Sequence, residues 1–102
     1  MKRYKIIVHG SNVQRCGFRH MAWELAKSLK LSGSAAYIEG YLEIEAEGPD
    51  YELQKFIDWA KHGPQMCEVD DFEITEIPAT GIIGFNNIPG VVRGLERLKK
   101  AV

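Results

Sequence analysis

Apolar residues recur along the chain with two different spacings, and the switches between them mark out its elements. In residues 4–8, Tyr4, Ile6 and Val8 alternate with Lys5 and Ile7, which predicts a short strand carrying those three side chains on one face. From 19 to 31 the period lengthens. Ala22, Leu25, Ala26 and Leu29 fall at i, i+3, i+4 and i+7, the stripe of an amphipathic helix. Ser32-Gly33 is expected to end it, with Gly33 suited to the left-handed position beyond a helix terminus. Two strands follow, joined by a turn around Glu39 and Gly40. The second, 41–47, turns Leu42, Ile44 and Ala46 inward and Glu43, Glu45 and Glu47 outward, as an antiparallel strand covered on one face does. Gly48-Pro49-Asp50 opens a second helix whose stripe is Leu53, Phe56, Ile57 and Ala60, and His62-Gly63-Pro64 stops it. Residues 71–77, with Phe72 and Ile74, read as a strand, and 82–85 as a short edge strand. Residues 89–102 form a basic, weakly amphipathic tail with a helical pattern.

The order is β-α-β-β-α-β. Right-handed crossovers and helices covering the apolar face of the sheet lead to an α+β, ferredoxin-like split β-α-β sandwich, an antiparallel sheet under two helices. The expected division is one domain over 1–88 and the tail at 89–102. This architecture hosts enzymes, metal carriers and RNA binders, so function must come from the loops.

Composition changes little in that picture. The chain has 102 residues, 45% hydrophobic and 26% charged, as an ordinary globular domain has. No apolar run approaches the roughly 18 residues of a membrane span, and the apolar stretch behind the basic N-terminus is too short for a signal peptide. Charge is more informative. The net value is -1, yet residues 1–33 carry seven Lys/Arg against Glu24 alone, while 34–77 carry two against twelve Asp/Glu. That split fits an N-terminal third that handles an anion, and equally two solvated faces of one domain. Cys16 and Cys67 stand apart with no second cysteine or histidine at ligand spacing, so no metal is expected. Free thiols in the cytoplasm are the expected state, with a single disulfide left open.

The segment with chemistry is Gly10-Ser11-Asn12-Val13-Gln14-Arg15-Cys16-Gly17-Phe18-Arg19-His20, between the first strand and the first helix. Backbone N–H groups at a helix start are unpaired and lie at the positive end of the helix dipole, which makes such a loop a phosphate cradle. Arg19, in the first turn, does little for the helix there but could grip an anion with two prongs.

In Val13-Gln14-x-x-Gly17-Phe18-Arg19 this loop resembles the acylphosphatase signature V-Q-G-V-G-F-R. The similarity continues through Gly33, the strand Gly40-x-Leu42-Glu43-Ile44-x-Ala46-Glu47-Gly48, then Gly63-Pro64 and Gly84-Phe85, and covers roughly 4–88. The resemblance implies the ferredoxin-like fold and hydrolysis of acyl phosphates to carboxylate and phosphate with neither metal nor cofactor. It implies that Arg19 and the backbone of Arg15, Cys16, Gly17, Phe18 and Arg19 bind the phosphoryl group. It also implies an asparagine on the second strand that orients the attacking water.

The sequence departs from that pattern in three places. Residues 33–40 are one short and contain no asparagine; Tyr37 is nearest in register, a phenol where the family has a carboxamide. Arg15 stands at the usual glycine, where a positive φ would strain it. Ser11-Asn12 lengthens the lead-in by one residue, and Cys16 replaces a valine. Asn12 could supply the missing amide or simply brace a turn, and His20 could be a base or a solvated first-turn residue. Cys16 lacks the C-x5-R context of a phosphoryl-accepting thiol, and Trp23 and Trp59 read as core or groove residues. The expected partner is a small acyl phosphate or inorganic phosphate bound by a monomer. The alternative is a non-catalytic module binding phosphate or a phosphorylated protein through the same loop. Nucleic acid is not expected, because outward Glu43, Glu45 and Glu47 would repel its backbone.

Overall fold

The computed structural model describes residues 1–92. Its elements are β1 (Lys2–His9), α1 (Phe18–Ser28), β2 (Ser32–Ile38), β3 (Tyr41–Gly48), α2 (Asp50–His62), β4 (Asp71–Ile77) and β5 (Phe85–Val92). The strands pair in the order β4-β1-β3-β2-β5. Pairings β1–β3, β1–β4 and β2–β3 are antiparallel, whereas β5 runs parallel to β2. The ferredoxin-like sandwich is therefore present, with a fifth strand that makes the sheet mixed. That strand differs from the sequence expectation: pairing begins at Phe85, where the short edge strand was expected to end, and residues 89–92 belong to the sheet. The helical pattern expected further along falls on 93–102, outside the described residues.

Period-two alternation delivers the core. Ile6, Val8, Leu42, Ile44 and Ala46 are fully buried under the helices, where they meet Phe18, Ala22 and Ala26 of α1 and Leu53 and Phe56 of α2. Each large side chain so buried contributes roughly 1.5–3 kcal/mol. Helix α1 ends earlier than its apolar stripe suggests. Leu31 N–H reaches Ala26 C=O and Lys30 N–H reaches Lys27 C=O, while Lys30 takes the left-handed conformation at φ 58°. Lys30, not Gly33, thus closes the helix, at a cost of about 1 kcal/mol for a side chain in that region. Gly33 lies in β2 instead. A Cβ there would collide with the backbone carbonyl of Glu45.

The opposite face of the sheet departs from the expectation of solvated glutamates. Glu43 and Glu47 are buried. Lys5 Nζ lies 3.2 Å from Glu43, and Arg3 bridges Glu45 at 3.0 Å and Glu47 at 3.1 Å. Glu47 also accepts the backbone N–H groups of Thr80 and Gly81 at 2.8 and 2.9 Å, pinning the β4–β5 connection to the sheet. Those two amides, helped by the Arg3 guanidinium and the Thr80 hydroxyl against the cost of burial, lower its pKa from 4.5 to about 2.

Candidate functional site

The loop of residues 10–17 leaves β1 and enters α1 through Gly17, which sits in the left-handed region at φ 81° and offers no side-chain cap. With no cap, the Phe18 amide that opens the helix has no partner among the described residues, while the next one, of Arg19, meets the Tyr37 hydroxyl at 3.4 Å. Among the described residues, no group accepts a hydrogen bond from the backbone N–H of Cys16, Gly17 or Phe18. Open donors at a helix start attract an anion. The loop is held from several sides. Val13 is buried, and Gln14 Nε2 donates to the Ile38 carbonyl at the end of β2 at 2.9 Å. A turn closes with Arg15 N–H on the Asn12 carbonyl at 2.9 Å.

That turn accounts for an arginine where the resemblance expects a glycine. Arg15 does not adopt a positive φ; in this loop Gly17 does. The longer lead-in lets an ordinary L-residue occupy the position without strain. Arg15 is exposed, and its side chain makes no ion pair or hydrogen bond with the described residues.

Asn12 does not face the cradle. Its Nδ2 donates to the Met66 carbonyl and its Oδ1 accepts the Glu68 N–H, both at 2.9 Å, so both ends of the amide brace the loop. Ser11 adds a 2.7 Å hydrogen bond to the Glu68 carboxylate. Between those two contacts Cys67 forms a disulfide with Cys16. The expectation of free thiols is thereby corrected, and the cytoplasmic assignment loses the support it took from them. Pairing across 51 residues has no spacing signature; the fold brings the α2–β4 connection beneath the loop.

Arg19 is built in with more care than a surface cation needs. Its Nη1 donates to the carbonyls of Ile88 at 2.6 Å and Gly90 at 2.8 Å, both on β5. Its guanidinium carbon lies 4.3 Å above the centre of the Tyr37 ring. Two of the five guanidinium N–H groups are engaged, and the Nε–Nη2 edge has no partner among the described residues. That edge is the fork geometry suited to two oxygens of one anion. Tyr37 itself is buried, with its hydroxyl 3.4 Å from the Arg19 backbone N–H. The structure thus brings Arg19, Tyr37 and the cradle amides together and turns Asn12 away. His20 is exposed with Nε2 3.1 Å from Glu24, consistent with a solvated first-turn residue. Trp23 and Trp59 pack partly buried against the core, Trp59 edge-on to Phe18.

Two features escaped the sequence. The carbonyls that hold Arg19 are backbone groups on a strand without a strong strand pattern. His9, Asp71 and Glu73 bring potential ligand atoms within 4.8 Å of one another on the β1–β4 surface, through strand pairing that spacing does not reveal. Cradle residues take no part in that group.

Residues 4–86 match the family model described as Acylphosphatase. The chain is 40% identical over 77 residues to the acylphosphatase of Bacillus subtilis, covering 74% of this chain and 84% of that protein. To the acylphosphatase of Thermus thermophilus it is 36% identical over 87 residues, 84% of this chain and 98% of the other. Among solved structures, the crystal structure of the Bacillus subtilis acylphosphatase superposes with a TM-score of 0.80 at 36% identity, over 87% of this chain and all of that one. Full-length HypF, in its phosphate- and nucleotide-bound form, superposes at 0.82 with 26% identity, over 91% of this chain and 12% of HypF.

Proposed function

Because the chain belongs to the acylphosphatase family, we propose that it hydrolyses acyl phosphates at the residue 15–19 loop, without a metal or other cofactor. Two phosphoryl oxygens sit on the Nε–Nη2 edge of Arg19, and the third faces the amides of Cys16, Gly17 and Phe18. A water oxygen attacks phosphorus in line; the bond from phosphorus to the acyl oxygen breaks, and the carboxylate departs with the electron pair. The water's protons pass to the product phosphate and solvent. A carboxylate leaves readily, so no general acid is required, and catalysis reduces to holding charge and aiming the water.

The observation that carries this reading is the double anchoring of Arg19 on β5. A guanidinium fixed through one nitrogen presents its remaining edge without losing much freedom on binding, the preorganisation that transition-state stabilisation uses. Tyr37, nearest in register to the family's unmatched asparagine, sets the expected rate. Its phenol can contact the water through one oxygen but lacks the carboxamide's separate donor and acceptor, so turnover below that of asparagine-containing relatives follows.

The test is release of benzoate from benzoyl phosphate by the native protein and by Arg19→Ala. Turnover that falls at least about a hundredfold in the variant supports the reading, the scale of losing one transition-state donor. Equal rates would remove Arg19 from the mechanism. Tyr37 also favours a second reading, a module that binds phosphate without hydrolysing it. Phosphate bound by the native protein, lost in Arg19→Ala and unaccompanied by turnover above buffer would select it.

A further inference from the structure

We propose that Arg15 forms a second anion subsite beside the phosphoryl cradle, so that the site selects acyl phosphates whose acyl group carries a further negative charge. This rests on the phosphoryl-binding role proposed for Arg19 and the amides of residues 16–18 and adds a substrate class to it. In sequence, the cradle amides of residues 16–18 lie between two arginines in unlike circumstances. Arg19 is anchored on β5 and stacked on Tyr37. Arg15 is exposed and unpaired among the described residues.

Arg15 is one of the residues lining an open cleft of about 370 Å³, together with residues 10–14 and Gly40. The cleft adjoins the cradle because Arg15 directly precedes the amides at 16–18; the side chains of Ser11, Asn12 and Gln14 in its wall are already hydrogen-bonded within the protein, which leaves Arg15 as the side chain open to a ligand. An acyl group leaving the cradle on this side meets that cation. The acids near the rim are Glu68, whose carboxylate takes the Ser11 hydroxyl, and Glu39 next to Gly40; neither is paired with Arg15.

An exposed arginine is ordinarily just solvated. This one differs in its backbone. The turn from Asn12 to Arg15 is tied to the 66–68 segment by both ends of the Asn12 amide, and the residue after Arg15 is cross-linked to Cys67. The backbone that presents the guanidinium is therefore fixed before any ligand arrives, which lowers the ordering cost of a contact to it. The cleft is solvent-exposed, so the gain should be that of one accessible charge-assisted contact, roughly fivefold in affinity.

The experiment uses non-hydrolysable probes on the full chain. Phenylphosphonate and 4-carboxyphenylphosphonate are titrated calorimetrically into the native protein, Arg15→Gln, Arg15→Lys and a charge control at the far end of β1 from the loop, Lys2→Gln. The carboxylated probe should bind the native protein and Lys2→Gln roughly fivefold more tightly. That ratio should collapse to within about twofold in Arg15→Gln and survive in part in Arg15→Lys. Ratios of kcat/KM for benzoyl and 4-carboxybenzoyl phosphate should move in parallel. Equal affinity of both probes for the native protein overturns the inference while leaving the phosphoryl cradle intact. So does a ratio that persists in Arg15→Gln. Failure of both probes to bind the native protein overturns both readings. Binding of phenylphosphonate that survives Arg19→Ala removes Arg19 from the cradle and, because the inference rests on that cradle, overturns it as well.

Discussion

Removing the Cys16–Cys67 bond should destabilise the domain by an amount set mainly by the unfolded chain. The cysteines are 51 residues apart, so the cross-link closes a long loop in the denatured ensemble. The chain-entropy relation for a loop of that size gives about 4 kcal/mol at 25 °C. The folded state loses less, because Asn12 still grips Met66 and Glu68 and Ser11 still reaches Glu68. A domain of this size has only about 5–15 kcal/mol of stability in all, so the loss is a large fraction. Urea unfolding of the native protein and of the Cys16→Ser/Cys67→Ser double variant measures it without leaving a lone thiol. The midpoint should fall, and the denaturant slope should rise because the uncrosslinked unfolded chain exposes more surface. In thermal unfolding the same loss corresponds to about 20 °C. A difference under about 1 kcal/mol with an unchanged slope would refute the reasoning, since it would mean that the cross-link restricts nothing the unfolded chain had to lose.

Tyr37→Asn restores the family's carboxamide and should raise turnover of benzoyl phosphate at least about tenfold. It should also cost roughly 2–4 kcal/mol in urea unfolding, because Tyr37 is a buried core side chain under the Arg19 guanidinium. Unchanged turnover in a folded variant would show that position 37 does not address the water. For Glu47 the direction of the pH effect follows from its depressed pKa. Its contribution is present above 4.5 and is lost as pH falls through that value toward about 2, where the folded protein takes up its proton. Glu47→Gln should therefore flatten the acid limb of the stability profile between those values in pH-dependent urea titrations; an unchanged limb would place the acid sensitivity elsewhere.

How legible the molecule is depends on whether a feature rests on periodicity or on distant pairing. β1, β3 and α2 are readable because Ile6, Val8, Leu42, Ile44, Leu53 and Phe56 repeat with the period of the element that buries them. β5 is poorly readable because Asn86, Asn87, Pro89 and Gly90 are weak strand formers, and its place is set by parallel pairing with β2. Burial of Glu43 and Glu47 is invisible along the chain because Lys5 and Arg3, which pair with them, lie on a neighbouring strand. Within the proposed site, local sequence singles out Arg19 and the loop at the start of α1. The anchoring carbonyls on β5 do not, since a carbonyl has no side-chain identity to read. Nor does the Asn12 clamp on 66–68, which needs the α2–β4 connection to arrive from the other side.

The hold of β5 on Arg19 imposes an order on assembly. Synthesis delivers the arginine early and the carbonyls that fix it 69 and 71 residues later. Until β5 docks, the guanidinium has no rigid seat, and the cradle lies beside a cation free to turn toward any passing acid. The phosphate capture proposed for Arg19 would thus be a readout of sheet completion. A slip of β5 against β2 by one residue would carry the Ile88 and Gly90 carbonyls away from Arg19 and turn Phe85 out of the core, where it packs against Phe56.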